Sequence, residues 1–292
     1  MRGRLGLLTL LLCLSACQPT KPKEATPAPA PTSTTAAPVE PQTVAPPTQT
    51  TQLSVEQARD ILKSATKTFN KDPHTWLELA LFEFKANNAT EGERLLKEIQ
   101  QRFPTYARAS YHLGMYYGSI QKVPQAIEAM ETAASRAPKD AVILTSVAVA
   151  ELGRNNESKA RQYGEQAIQA DPQYADAYIL LARVYDHPGA HQKAIEYANQ
   201  YIKYSPNPAP GYYMLGRIYV RQANKDKSIE WLLKARDADP NNPKVWLLLG
   251  RVYYELFRTT KEAEGVQCLQ KALELDPNQW EAHQWLGRFG TI

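Results

Sequence analysis

Arginines stand at positions 183, 217, 251 and 288, the first three at intervals of 34 residues. A guanidinium is planar and always charged, and it can present two parallel N–H donors to a carboxylate. A row of them at fixed spacing, joined by Arg221 and Lys244, predicts recognition of an extended acidic segment or a free C-terminal carboxylate. The same arginines could instead pair with neighbours such as Asp186 and Glu255 and cement the fold, and the sequence leaves both uses open. Other chemistry is sparse. Of the five histidines, His74, His112, His187, His191 and His283, only His187 and His191 lie close together. Pro188 and Gly189 between them break the helix that would align a metal pair, so no metal role is expected. No glycine-rich phosphate loop is present. The expected molecule is not an enzyme and needs no cofactor.

At the front, Arg2 and Arg4 precede an apolar run from Leu5 to Leu14 that is too short to span a bilayer, the pattern of a secretory signal peptide. The run closes on Leu14-Ser15-Ala16-Cys17, which resembles the bacterial lipobox. That resemblance implies removal of residues 1–16 and attachment of lipid, palmitate included, to Cys17. Acyl chains add about 0.8 kcal/mol per buried methylene, so such an anchor holds without a transmembrane span. Gln18 follows the cysteine where inner-membrane retention favours Asp, so the expected location is the periplasmic face of the outer membrane. Of the other cysteines, Cys13 leaves with the signal peptide and Cys268 falls in a predicted helix, as a small buried hydrophobe. Loss of Arg2 and Arg4 lowers the formal charge from +4 to about +2. A balance so near neutral does not call for nucleic acid.

Residues 17–52 hold nine prolines with many Thr and Ala and almost no large apolar side chains. Such a segment cannot bury a core and is expected to be a disordered stalk. In polyproline II, at about 3.1 Å per residue, it would reach about 100 Å from the membrane.

From residue 53 the chain repeats. Prolines at 104, 138, 172, 206 and 240 are 34 residues apart, and Pro277 follows after 37. Within each unit, position 4 holds Trp76, Ser110, Leu144, Tyr178, Tyr212 and Trp246, and position 7 holds Leu79, Leu113, Val147, Leu181, Leu215 and Leu249. Position 8 is small: Ala80, Gly114, Ala148, Ala182, Gly216 and Gly250. Position 11 is Tyr117, Tyr185, Tyr219 and Tyr253, with Glu83 and Glu151 departing. Positions 4, 7, 8 and 11 share one helical face, which must be buried, and the small residues let a second helix approach closely. This period and pattern resemble the tetratricopeptide repeat, a helix-turn-helix unit. The resemblance implies an all-α, right-handed superhelical solenoid over residues 53–292. Six units occupy 73–106, 107–140, 141–174, 175–208, 209–242 and 243–279, with a half-repeat at each end.

In that family the first helices line the concave face, with positions 2, 5, 9, 12 and 13 pointing into the groove. Carried onto this chain, the early groove offers Leu77, Leu81, Tyr111 and Met115. The later groove offers Arg183, Arg217, Arg251, Arg288, Arg221 and Lys244. The basic and Asn pattern with which chaperone-binding members clamp a C-terminus is absent, so that activity is not carried over.

Lipid, stalk and solenoid together suggest a membrane-anchored scaffold whose groove binds another envelope protein or an acidic, extended segment of one. The layout is similar to that of tetratricopeptide lipoproteins that assist assembly of the type IV pilus secretin, which implies a part in pilus biogenesis. A recruiter of cell-wall synthases or hydrolases is the alternative. The binding portion of a glycosyltransferase-type enzyme is a third reading, weakened because only an end helix follows the repeats.

Overall fold

The computed structural model describes residues 53–257 and 262–289. The signal peptide, Cys17, the proline-rich segment and residues 258–261 of the longer sixth unit lie outside the described residues. Among those described there are fourteen α-helices and no strand, the all-α helical repeat that the 34-residue period predicts. They separate into two compact units, one up to Pro104 and one from Thr105. The first unit contains α1 (Val55–Thr68), α2 (Pro73–Lys85) and α3 (Ala89–Arg102). The second contains α4 (Ala107–Ser119), α5 (Val123–Arg136), α6 (Ala141–Gly153), α7 (Glu157–Ala170), α8 (Ala175–Val184), α9 (His191–Tyr204), α10 (Ala209–Arg221), α11 (Lys225–Ala238), α12 (Pro243–Phe257), α13 (Glu262–Leu275) and α14 (Trp280–Phe289). None is long and apolar enough to cross a membrane.

Local chemistry marks several of the helix ends. Ser54 and Gln57 form a reciprocal capping box at the start of α1, while Asp72 and Asp140 accept backbone N–H groups at the starts of α2 and α6. The second helices α3, α5, α7, α9, α11 and α13 each stop two residues before Pro104, Pro138, Pro172, Pro206, Pro240 and Pro277. The cause is general: the ring bars the residue before it from the helical region.

First helices end differently. Asn87, Gln121, Asn155 and Ala223 take left-handed backbone conformations, φ 53° to 62°, again 34 residues apart apart from the fourth unit, where Gly189 occupies that place. The next amide then reaches back over the end of the helix, from Asn88 to Glu83 O, Lys122 to Tyr117 O, Asn156 to Glu151 O and Asn224 to Tyr219 O, at 2.8 to 3.0 Å. This is the six-to-one bond of a Schellman ending.

The fourth unit departs from the rest. Pro188 drives His187 out of the helical region, α8 ends at Val184, and residues 185–190 form a loop before α9.

Consecutive helices pack in pairs around the small residues. A Cβ on Gly216 would meet Leu232 Cγ at 2.6 Å, and on Gly250 it would meet Leu269 Cγ at 2.5 Å. Leu232 and Leu269 are fully buried, so the missing Cβ is the space they fill. On the second helix α7, Gly164 makes room for the following first helix, since a Cβ there would meet Leu181 Cδ2 at 2.8 Å.

Candidate functional site

α8, α10, α12 and α14 carry the arginines singled out by their spacing, and the structure gives them unequal surroundings. Arg217, on α10, reaches back to the α8 ending and donates to Asp186 Oδ2 from Nε at 3.0 Å and from Nη2 at 2.6 Å. Arg221, one turn further along α10, places Nε 3.4 Å from the same oxygen and donates from Nη1 to the Asp186 carbonyl at 3.0 Å. Asp186 is buried, its side chain 1% exposed, whereas Arg217 and Arg221 keep 31% and 50% of theirs. The early end of α8 is what frees Asp186 to take this place.

Arg251 pairs on its own helix, with Nε 3.4 Å from Glu255 Oε1. The spacing rule left pairing and reception open, and for Arg217 and Arg251 internal pairs do exist. Both side chains nevertheless remain about a third exposed, so pairing leaves them able to meet a partner. Arg183 is half-buried, Lys244 is exposed, and Arg288 is exposed with its guanidinium 4.3 Å from the Trp285 ring. The Trp285 ring lies 5.2 Å from that of Tyr254, which extends the surface with aromatic groups.

Tyr213, partly exposed beside Arg217, also belongs to this surface, although its spacing in the sequence did not single it out. It lies one turn before Arg217, and burial pushes its hydroxyl pKa up, while Arg217 and Arg251 pull it down and Glu281 and Asp186 raise it. The signal was available, since Tyr213 occupies repeat position 5 of the fifth unit. Leu77 and Tyr111 hold the same position in the first and second units.

The apolar candidates fare differently. Leu77 is 5% exposed, so its side chain serves mainly the core of its own unit and shows little surface. Leu81 is half-buried. Tyr111 and Met115 are half-buried and pack on a cluster that includes Ala107, Met130, Ala133 and Val147, so part of each side chain already serves the core.

The two glutamates that depart from the repeat pattern are buried polar junctions. Glu83, 1% exposed, accepts from Arg59 Nε at 2.8 Å and from Asn88 Nδ2 at 3.0 Å. Glu151, also buried, accepts from Asn156 Nδ2 at 2.9 Å, and Lys159 Nζ stands 3.8 Å from its other oxygen. These pairings offset part of the cost of burying the two charges, although Glu151 Oε1 is buried with no hydrogen-bond partner among the described residues. No cluster of three or more His, Cys, Asp or Glu that could hold a metal ion exists among the described residues. Cys268 is buried, and burial raises its thiol to about 11, as befits a packing residue rather than a nucleophile.

Models of the tetratricopeptide repeat match residues 77–141 and 111–175, 151–208 and 187–252, and 243–279. A comparison with the curated proteins finds no significant match. Among solved structures, the hetero-tetramer Cut9–Hcn1 of the APC/C is similar at 18% identity and a TM-score of 0.65, over 80% of this chain. The chain spans 46% of that protein's length. PilW, a type IV pilus biogenesis factor, is similar at 16% identity and a TM-score of 0.64, over 73% of this chain and 98% of PilW. PilF of Pseudomonas aeruginosa is similar at 15% identity and a TM-score of 0.60, over 79% of this chain and 99% of PilF. At these identities the likeness is one of fold.

Proposed function

Because the chain belongs to the tetratricopeptide repeat family, we propose that it is a non-catalytic scaffold that binds another envelope protein on the exposed residues of its first helices, tethered by lipid on Cys17 at the periplasmic face of the outer membrane. Repeat arrays of this family act in protein–protein interaction, and their packed cores leave function to side chains on the surface. The observation that carries the reading is the half-exposed surface of Tyr213, Arg217, Arg221 and Arg251 on α10 and α12. It presents cationic and aromatic groups of the kinds enriched where proteins meet.

A role in assembling an envelope machine such as the type IV pilus secretin is the finer part of the proposal. The lipobox-like start supports it, as does likeness in fold to PilW and PilF over nearly their whole lengths. Recruitment of cell-wall synthases or hydrolases is the competing role, favoured by a proline-rich segment long enough to reach away from the membrane. Deletion of the gene separates the two: lost surface pili and twitching support the first, and altered shape or wall lysis the second.

The binding face is tested by Arg251→Glu, which places a like charge beside Glu255 on an exposed helix surface. Partner capture should fall while helical content stays at the wild-type level. Undiminished capture would count against this face. Arg217→Glu is a poorer choice, because it would set a second carboxylate against buried Asp186.

A further inference from the structure

Repeat position 12 is Phe84, Gly118, Leu152, Val220 and Tyr254 in the other units, and in the fourth it is an acid, Asp186. Burying a carboxylate costs several kcal/mol unless the charge is paired and hydrogen-bonded. Here all of the pairing falls on Oδ2 and on the main-chain carbonyl, while Oδ1 is buried with no hydrogen-bond partner among the described residues. An unsatisfied buried acceptor costs about 1–3 kcal/mol. The arrangement is therefore not the one that would satisfy Asp186 best. What it achieves is to draw two guanidiniums, from successive turns of α10, onto a single residue.

Two positive charges on one carboxylate leave a surplus of one. Arg217 Nη1 and Arg221 Nη2 have no partner among the described residues, and both side chains are partly exposed. Tyr213 lies one turn before Arg217 and feels the charges of Arg217 and Asp186.

We propose that Asp186 is a positioning residue that locks Arg217 and Arg221 into a fixed two-guanidinium receptor for one carboxylate of an acidic segment of the partner protein. The inference rests on the first-helix face being the binding surface and adds the chemistry of what is bound. A long cation loses rotamer freedom when it captures an anion, and holding the forks in advance removes much of that cost. The carboxylate can come from an Asp or Glu side chain or from a chain terminus, since both offer the same two oxygens.

The device makes a prediction whose sign opposes simple charge attraction. Asp186→Asn raises the net charge of the face by one, so attraction alone would tighten binding of an acidic ligand. Loss of the lock should instead weaken it. Two fluorescein-labelled Gly-Ser peptides serve as probes, one with internal glutamates and an amidated C-terminus, the other without glutamates and with a free C-terminal carboxylate. At least one should bind the full chain, and the one that does identifies the source of the carboxylate. Its affinity should fall about tenfold in Asp186→Asn, a difference of about 1.4 kcal/mol, with the far-ultraviolet circular dichroism of the wild type. Unchanged or tighter binding would overturn the proposal. The charge-neutral double variant Arg217→Lys with Arg221→Lys tests the same point with Asp186 and the net charge both retained, removing only the planar forks that Asp186 holds, and should lose affinity to a similar degree; equal affinity would overturn it. Should neither peptide bind the wild type while a photo-crosslinker at Tyr213 still captures one discrete partner in cells, the carboxylate receptor is wrong and the binding face stands. If that crosslinker also captures nothing, the face itself is wrong.

Discussion

Asn156 donates from Nδ2 to Oε2 of Glu151 at 2.9 Å and spans the turn between α6 and α7, as Asn88 does with Glu83 between α2 and α3. Glu151 stands where Tyr117, Tyr185, Tyr219 and Tyr253 stand in other units, and Lys193 and Lys227 lie over the rings of Tyr185 and Tyr219 at 5.2 Å. Lys159 holds the equivalent place beside Glu151. Asn156→Ala should therefore cost about 1–3 kcal/mol, because it strips a buried carboxylate of its hydrogen bond. Glu151→Tyr should be neutral or stabilising, as replacement of buried ion pairs by well-packed groups often is. In that background Asn156→Ala should cost only the lost helix cap, about 1 kcal/mol. Equal costs in the two backgrounds, measured by urea unfolding, would contradict this account of the junction.

Ala223 has φ 53°, a conformation in which its Cβ crowds the following carbonyl. Ala223→Gly should stabilise by about 0.5–1 kcal/mol, the relief of strain exceeding the extra freedom of the unfolded chain. Gly189, φ 91°, should respond oppositely to Gly189→Ala, by about 1 kcal/mol or more. Two unfolding midpoints check the pair.

Gly216 and Gly287 share repeat position 8, yet a Cβ on Gly216 would lie 2.6 Å from Leu232 Cγ and one on Gly287 would meet nothing within 4 Å. Gly216→Ala should therefore destabilise by about 1–3 kcal/mol through overpacking. Gly287→Ala should gain up to about 1 kcal/mol of helix propensity. Thermal melts of the two variants should move in opposite directions.

Burial, aided by the nearby Arg108 charge, lowers the His112 pKa from its ordinary 6.5 to about 4. The folded chain thus resists a proton that the unfolded chain accepts. The stability due to a neutral His112 is complete above about pH 6.5 and is lost as pH falls toward 4. The loss amounts to about 3 kcal/mol at most, at about 1.36 kcal/mol per pH unit of the shift. His112→Gln should flatten the stability profile between pH 6.5 and 4, and an unchanged slope would assign the acid sensitivity to other groups.

Much of the fold was legible because the 34-residue spacing of Pro104, Pro138, Pro172, Pro206 and Pro240 marks where each second helix must stop, a local steric effect. The packing positions were legible from helix geometry, since Leu215 and Gly216 follow Tyr212 by three and four residues and so share its face of the helix. The site was harder to read. Arg217 and Asp186 are 31 residues apart, and their meeting depends on Pro188 shortening α8, a break in the period rather than an instance of it. Leu77 shows the other limit: a helical position fixes the direction in which a side chain leaves the backbone, but not how far its neighbours cover it.

The central claim is that this protein holds a partner on its first helices, and site-specific photo-crosslinking in living cells tests it most directly. A crosslinker placed in turn at Met115, Tyr213 and Arg251 should capture the same discrete protein at each site, whereas one at Lys234 on second helix α11 should not. Capture from Lys234 alone, or from none of the first-helix sites, would contradict the claim.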